Sequence, residues 1–138
     1  MAQLVGPGLN ECPTNGDLGG MAYQDPNNVE ITRGIIAAQL RRYAPVTKTA
    51  AFTVARYENW LICNGAGSIT VTLPTAATNV GREIMIKTIA AQTVVSASSN
   101  VKPIDSNTAG TAILPATAGA WCTLVCDGTD WIVMQRGT

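Results

Sequence analysis

From about residue 50 to the C-terminus, apolar and polar residues alternate with period two, the spacing of a strand that buries one face. The alternation predicts strands over residues 51–56, 60–63, 68–73, 83–88, 93–97, 112–114, 120–126 and 131–135. Turn-forming groups separate them: Asn64-Gly65-Ala66-Gly67, Asn79-Val80-Gly81, Ser98-Ser99-Asn100, Asp105-Ser106-Asn107 and Asp127-Gly128-Thr129-Asp130. Short strands recurring about every 8–12 residues, with turn chemistry between them, predict an antiparallel β-sandwich or jelly-roll-like domain over residues 50–138. The last pair is the best defined. Cys122, Leu124 and Cys126 face one way, the 127–130 turn reverses the chain, and Trp131, Val133 and Gln135 alternate back.

Upstream the pattern changes twice. Residues 33–49 are expected to form a short helix or linker. Ile36, Leu40 and Tyr43 stand at i, i+4 and i+7, Thr32 can cap the start, and Pro45 ends anything helical. A β reading of Val29-Glu30-Ile31 into Gly34-Ile35-Ile36 also fits. A helix of about three turns is marginal in water on its own. Its apolar stripe therefore needs a surface, and Ile36, Leu40 and Tyr43 are candidate contacts of a homotrimer.

Residues 1–32 show neither period and are rich in Gly, Pro, Asn and Asp. Such a segment has too few apolar side chains to offset the entropy of ordering. The expectation is an extended arm that orders on a partner, with Leu18, Met21, Tyr23 and Val29 as its anchors.

Composition sharpens this picture. Hydrophobic residues make up 46% of the chain but charged ones only 13%, against about 25% in a usual globular domain, and Phe52 is the single Phe. A β-branched, charge-poor chain suits sheets whose surfaces are partly covered by other subunits. The net charge is zero but unevenly placed. Glu11, Asp17, Asp25 and Glu30 lie in residues 1–30 without a base, while Arg33, Arg41, Arg42, Lys48 and Arg56 lie in residues 31–57 without an acid. Solvated surface charge explains this as well as an acidic arm lying on a basic collar of a neighbouring subunit does. Arg41-Arg42, with only Tyr43 and Tyr57 nearby for stacking, is a weak nucleic-acid signal, so no nucleic-acid partner is expected. No apolar run approaches the roughly 20 residues of a membrane helix, and no secretory leader is visible, so production in a reducing cytoplasm without membrane insertion is expected.

The chemical inventory argues against an enzyme. Histidine is absent, removing the commonest general base and metal ligand. No Gly-x-Ser-x-Gly elbow or phosphate-cradling Gly-Lys-Ser/Thr loop occurs, and Gly65-Ala66-Gly67 leads into a strand. Asp127 and Asp130 bracket a turn, where Asp is expected for backbone hydrogen bonding; a calcium site there would need about six oxygens. No cofactor, metal or catalytic residue is expected. Cys12, Cys63, Cys122 and Cys126 are too irregularly spaced for a disulfide scaffold. Cys122 and Cys126 share a strand face about 13 Å apart, and Cys63 could reach either from a paired strand. Small apolar core residues are the simpler reading.

Two blocks of residues carry a family resemblance. The first is Asp17-Leu18-Gly19-Gly20-Met21-Ala22-Tyr23-Gln24-Asp25 with Asn28-Val29-Glu30-Ile31-Thr32-Arg33-Gly34. The second is Ser68-Ile69-Thr70-Val71-Thr72-Leu73-Pro74 through Asn79-Val80-Gly81-Arg82-Glu83-Ile84-Met85-Ile86-Lys87, closing with Cys126-Asp127-Gly128-Thr129-Asp130-Trp131. Together they resemble the linker and β-structured head of bacteriophage tail-fibre and virion decoration proteins. The resemblance implies a homotrimeric structural protein of the virion: a short tail fibre or surface knob for host attachment, or a capsid cement protein. It also implies contacts with other phage structural proteins and, for attachment, a host surface glycan. The repetitive shaft of such fibres is missing. An alternative from another class is a carbohydrate-binding β-sandwich module that stacks sugars on Trp60, Trp121 or Trp131. Exposure of these rings discriminates, and Trp131 is expected in the core.

Overall fold

A computed structural model of the chain describes residues 43–138. The expected arm anchors Leu18, Met21, Tyr23 and Val29, the contacts Ile36 and Leu40, and Cys12 lie outside the described residues. Those described are mainly β: β1 (Val46–Lys48), β2 (Phe52–Thr53), β3 (Trp60–Cys63), β4 (Ile69–Thr72), β5 (Glu83–Thr88), β6 (Val94–Ser96), β7 (Val101–Lys102), β8 (Ala112–Leu114), β9 (Trp121–Cys126) and β10 (Trp131–Gly137). A single 3-10 turn sits at Ala76–Thr78. Strands β3, β5 and β8 have the expected bounds, whereas the strand expected over 51–56 contracts to two residues. Strands β1 and β7 were not expected, because two or three residues are too few to display a period.

The pairing corrects the antiparallel expectation. Both sheets are mixed: six strands in the order β1-β3-β5-β9-β10-β7 and four in the order β2-β4-β6-β8. Strands β1, β3 and β5 run parallel, as do β2, β4 and β6. Parallel neighbours need a long crossover, commonly a helix. Here each crossover is itself a strand of the other sheet. The chain thus winds between the sheets as the coils of a flattened β-helix do. The physical reason is in the turns. Loops such as 64–67 and 74–81 carry the chain across the core instead of back along the same sheet, so the next strand in that sheet repeats the direction. Period two reports which face a residue takes and is silent on the direction of its neighbour.

After three coils the winding changes. Strand β7 enters the six-stranded sheet at its far edge, β8 returns to pair antiparallel with β6, and the hairpin β9–β10 fills the space between β5 and β7. The last elements in sequence therefore take two central places in the larger sheet.

Both sheets contribute to one core. Leu61, Cys63, Ile84, Ile86, Cys122, Leu124, Trp131 and Val133 come from the larger sheet, and Ile69, Val71, Val94, Ile113 and Leu114 from the smaller. Trp131 is fully buried, as expected, and its Nε1 donates to the Pro74 carbonyl at 3.1 Å. The 127–130 turn closes the hairpin through Asp127, whose Oδ1 accepts from the backbone N–H groups of Thr129 at 2.8 Å and Asp130 at 2.7 Å. One detail of the hairpin departs from simple alternation. A bulge between Val133 and Gln135 inserts Met134, so Gln135 opposes Thr123 and is exposed instead of following Trp131 and Val133 inward. At the hairpin's open end Gly137 faces Trp121, and a Cβ at Gly137 would lie 2.5 Å from the indole Nε1. Glycine there lets the ring lie flat across the backbone.

Trp131 predicts the largest single loss of stability. Trp131→Ala is expected to cost about 3–5 kcal/mol by opening a cavity. Trp131→Phe should cost less, of the order of 1–3 kcal/mol, through the buried Pro74 carbonyl left unpaired. Urea denaturation followed by far-ultraviolet circular dichroism checks the order of the two.

Candidate functional site

The outward faces of the two sheets differ in chemistry. On the smaller sheet the outward positions include Thr53, Thr70 and Thr72, all exposed, the usual polar outside of a half-buried strand. On the larger sheet Trp60, Ile62, Met85, Trp121, Val125 and Ile132 face outward and are half-buried. Strands such as β3 and β9 are apolar on both faces for this reason: inner Leu61 and Cys63 alternate with outer Trp60 and Ile62. This outer face is the candidate site.

Its centre is a straight row across four strands. Trp60 stands opposite Met85, Met85 opposite Thr123, and Thr123 opposite Gln135. At a strand spacing of about 4.8 Å the row is about 14 Å long. The bulge at Met134 puts both Met134 and Gln135 against it. With Glu83 and Val125 these side chains enclose a groove of about 620 Å³. Thr123 Oγ1 is buried and has no hydrogen-bond partner among the described residues.

The other polar clusters brace turns. Lys48 Nζ pairs with Glu58 Oε1 at 2.7 Å and lies 4.9 Å from the centre of the Phe52 ring. Glu58 Oε2 accepts from the Ala55 N–H at 2.9 Å. Arg82 reaches the same loop, donating to the carbonyls of Ala55 at 2.8 Å and Glu58 at 3.0 Å, and to Asn79 Oδ1 at 3.1 Å. At the opposite edge Lys102 Nζ lies 3.4 Å from an oxygen of Asp127 and 3.2 Å from one of Asp130. An ammonium group thus holds the position between the two carboxylates that a calcium ion would need. Asp127 is held below the usual carboxylate range, chiefly by the N–H groups of Asp130 and Thr129 and further by Lys102.

The basic collar divides differently from its sequence pattern: Lys48 is paired, while Arg56 stacks on Tyr57 with its guanidinium 5.4 Å from the ring centre. Tyr43 is exposed, belongs to no helix, and meets the Tyr57 ring at 5.2 Å between centroids.

The cysteines are buried free thiols at positions 63, 122 and 126. The expectation that Cys63 could reach a neighbour from a paired strand is corrected by topology. Strand β5 lies between β3 and β9, with Cys63 opposite Thr88 and Cys122 opposite Ile86. Two strand spacings, about 9.5 Å, exceed the Cα separation that a disulfide spans. Burial pushes the Cys63 thiol up to about 11 and the Cys122 thiol up to about 12. The Cys126 thiol donates to the Ala76 carbonyl at 3.3 Å.

No protein-family model and no curated protein matches the chain. Its own residues must therefore carry the functional argument. Sequence reasoning named Trp60 but missed its neighbours. The pairing of Met85, Thr123 and Gln135 depends on strand order, and the uninterrupted apolar runs at 60–63 and 131–134 were the available signal that both faces of these strands are covered.

Two measurements follow. Burial raises the Glu58 pKa, but the Ala55 N–H, Lys48 and Arg82 together outweigh it, so the net value lies below the ordinary 4.5. A depressed folded-state pKa gives stability that is complete above the unfolded value and is lost as pH falls through the folded one. Urea midpoints should therefore drop below about pH 4.5, and Glu58→Gln should flatten that acid limb in part, Asp127 supplying the remainder. A thiol reagent at pH 8 should leave residues 63, 122 and 126 unmodified in the folded protein and label all of them in denaturant without reductant, as peptide mapping would register.

Proposed function

We propose that this chain is a non-catalytic structural protein of a bacteriophage virion: a short homotrimeric tail fibre or surface knob whose β domain points outward for host attachment or particle decoration. The arm over residues 1–32, with Leu18, Met21, Tyr23 and Val29 as anchors, binds other phage structural proteins. Ile36, Leu40 and Tyr43 serve the trimer. The chain is made in the host cytoplasm and ends in the particle.

One observation carries the reading. The residues behind the second block of the resemblance, far apart in sequence, form a single joint. Trp131 donates to Pro74, the Gly81 N–H donates to the Cys126 carbonyl at 2.9 Å, and the Cys126 N–H donates to the Arg82 carbonyl at 3.1 Å. Gly81 has φ +79, a conformation open to glycine and strained for other residues. These contacts brace a scaffold, as expected if fibre heads and this domain share one. Lys48, Glu58, Arg82 and Lys102 act in the same sense, bracing loops. A second reading, a carbohydrate-binding module, draws support from Trp60 at the groove.

Deleting residues 1–32 should leave a folded, cooperatively melting β protein that no longer joins particles, because residues 43–138 hold a hydrophobic core of their own. Particle incorporation is scored by immunoblot of purified virions. Undiminished incorporation of the truncated chain would sink the anchor role.

A further inference from the structure

We propose that Asn64-Gly65 is a latent deamidation site, held silent in the folded domain by the buried side chain of Gln92.

The chain has two Asn-Gly steps, Asn15-Gly16 and Asn64-Gly65. Asparagine is a labile residue, and a following glycine favours its loss because no Cβ hinders ring closure. In the reaction a base removes the backbone N–H proton of the glycine, and that nitrogen attacks the asparagine Cγ. The N–Cγ bond forms, the Cγ–Nδ2 bond breaks, and ammonia leaves with a proton from water. Water then opens the cyclic imide at either carbonyl, giving aspartate or isoaspartate. In sum one water is taken up and one ammonia released, and solvent supplies both base and water.

Asn64 is exposed, in the loop between β3 and β4, so its amide is open to this chemistry. Gly65 is not. Its N–H donates to Gln92 Oε1 at 2.8 Å, and Gln92 is only 3% exposed. The proton that must leave is thus held on an acceptor shielded from hydroxide. Removing it would also set a nitrogen anion against a carbonyl oxygen with no hydrogen between them. The end of β1 holds the same dipeptide from the other direction. The Asn64 N–H donates to the Lys48 carbonyl at 2.8 Å, and a Cβ at Gly65 would lie 2.7 Å from the Thr49 carbonyl oxygen. This leaves little room for the rotation that brings Cγ onto the Gly65 nitrogen.

Gln92 is an unusual choice for a core position. Its Nε2 is buried without a hydrogen-bond partner among the described residues, and a half-satisfied buried amide is costly. Leucine or methionine would fill a similar volume without that cost. What the amide supplies, and they do not, is the acceptor for Gly65. The reaction also matters to the fold. Isoaspartate routes the chain through the side chain and adds a backbone atom between β3 and β4, which the close fit of Gly65 under Thr49 does not accommodate. Opening of this loop, once followed by the reaction, is therefore irreversible.

The test is peptide mapping by mass spectrometry on the full chain, kept warm at mildly alkaline pH, folded and in urea. In urea Asn15 and Asn64 should react at similar rates, both being followed by glycine. In the folded protein Asn64 is expected to react roughly tenfold slower than in urea, or slower still. Gln92→Leu should raise the folded-state rate at Asn64 several-fold and speed hydrogen exchange of the Gly65 amide, with the near-ultraviolet signal of buried Trp131 unchanged. Val133→Ala weakens the core on β10, two strands away from β3, and should leave Asn64 slow; this separates a local guard from general destabilisation. Three outcomes overturn the proposal: Asn64 reacting as fast folded as in urea, Gln92→Leu matching the parent, or Val133→Ala raising the rate as much as Gln92→Leu. If Gln92→Leu does not fold, the parent decides through its Gly65 amide, whose slow exchange supports the guard and whose fast exchange refutes it.

Discussion

The indole of Trp131 beneath the Pro74 carbonyl is the constraint on which the domain depends. Three parallel coils leave a sheet that is incomplete between β5 and β7, and strands of two to six residues bury little surface by themselves. The closing hairpin fills that space from the C-terminal end of the chain and supplies Cys122, Leu124, Trp131 and Val133 to the core. Its indole N–H must find an acceptor once buried, and the strand-ending Leu73-Pro74 step presents one. Stability is thus strongly non-local: residues 57 apart in sequence meet at a hydrogen bond that helps to fix the hairpin over the coils.

Charged side chains complete the same design at the surface. Several of those described have a defined structural task. Lys48, Glu58 and Arg82 tie the loop after β2 to the loop before β5, and Lys102 neutralises the two aspartates that shape the closing turn. Such pairs contribute modestly to stability at partly exposed sites. Their larger effect is on register, since every coil of a winding domain must keep its phase with the next for the inner and outer faces to stay separate.

The outer faces of the two sheets differ in chemistry. Threonine outside the small sheet is compatible with water, whereas Trp60, Met85, Trp121 and Val125 outside the large one give a half-buried apolar surface.

The sequence by itself determined the β character of residues 50–138, the approximate position of most strands, the closing hairpin and the burial of Trp131. These are local properties: period two, Gly/Asn/Asp turns and a large apolar ring leave marks within a few residues. Thiol burial at Cys63, Cys122 and Cys126 was legible for the same reason. Pairing direction was not, because alternation is identical in parallel and antiparallel strands, and so a winding, mixed topology replaced the antiparallel one. Nor was the outer row legible. Met85, Thr123 and Gln135 become neighbours of Trp60 only through a strand order that inserts the last hairpin beside the third coil, and Gln135 turns outward only because one extra residue enters the ladder at Met134. Strand order and the bulge are decided by how the core closes, and that is a property of the tertiary structure alone.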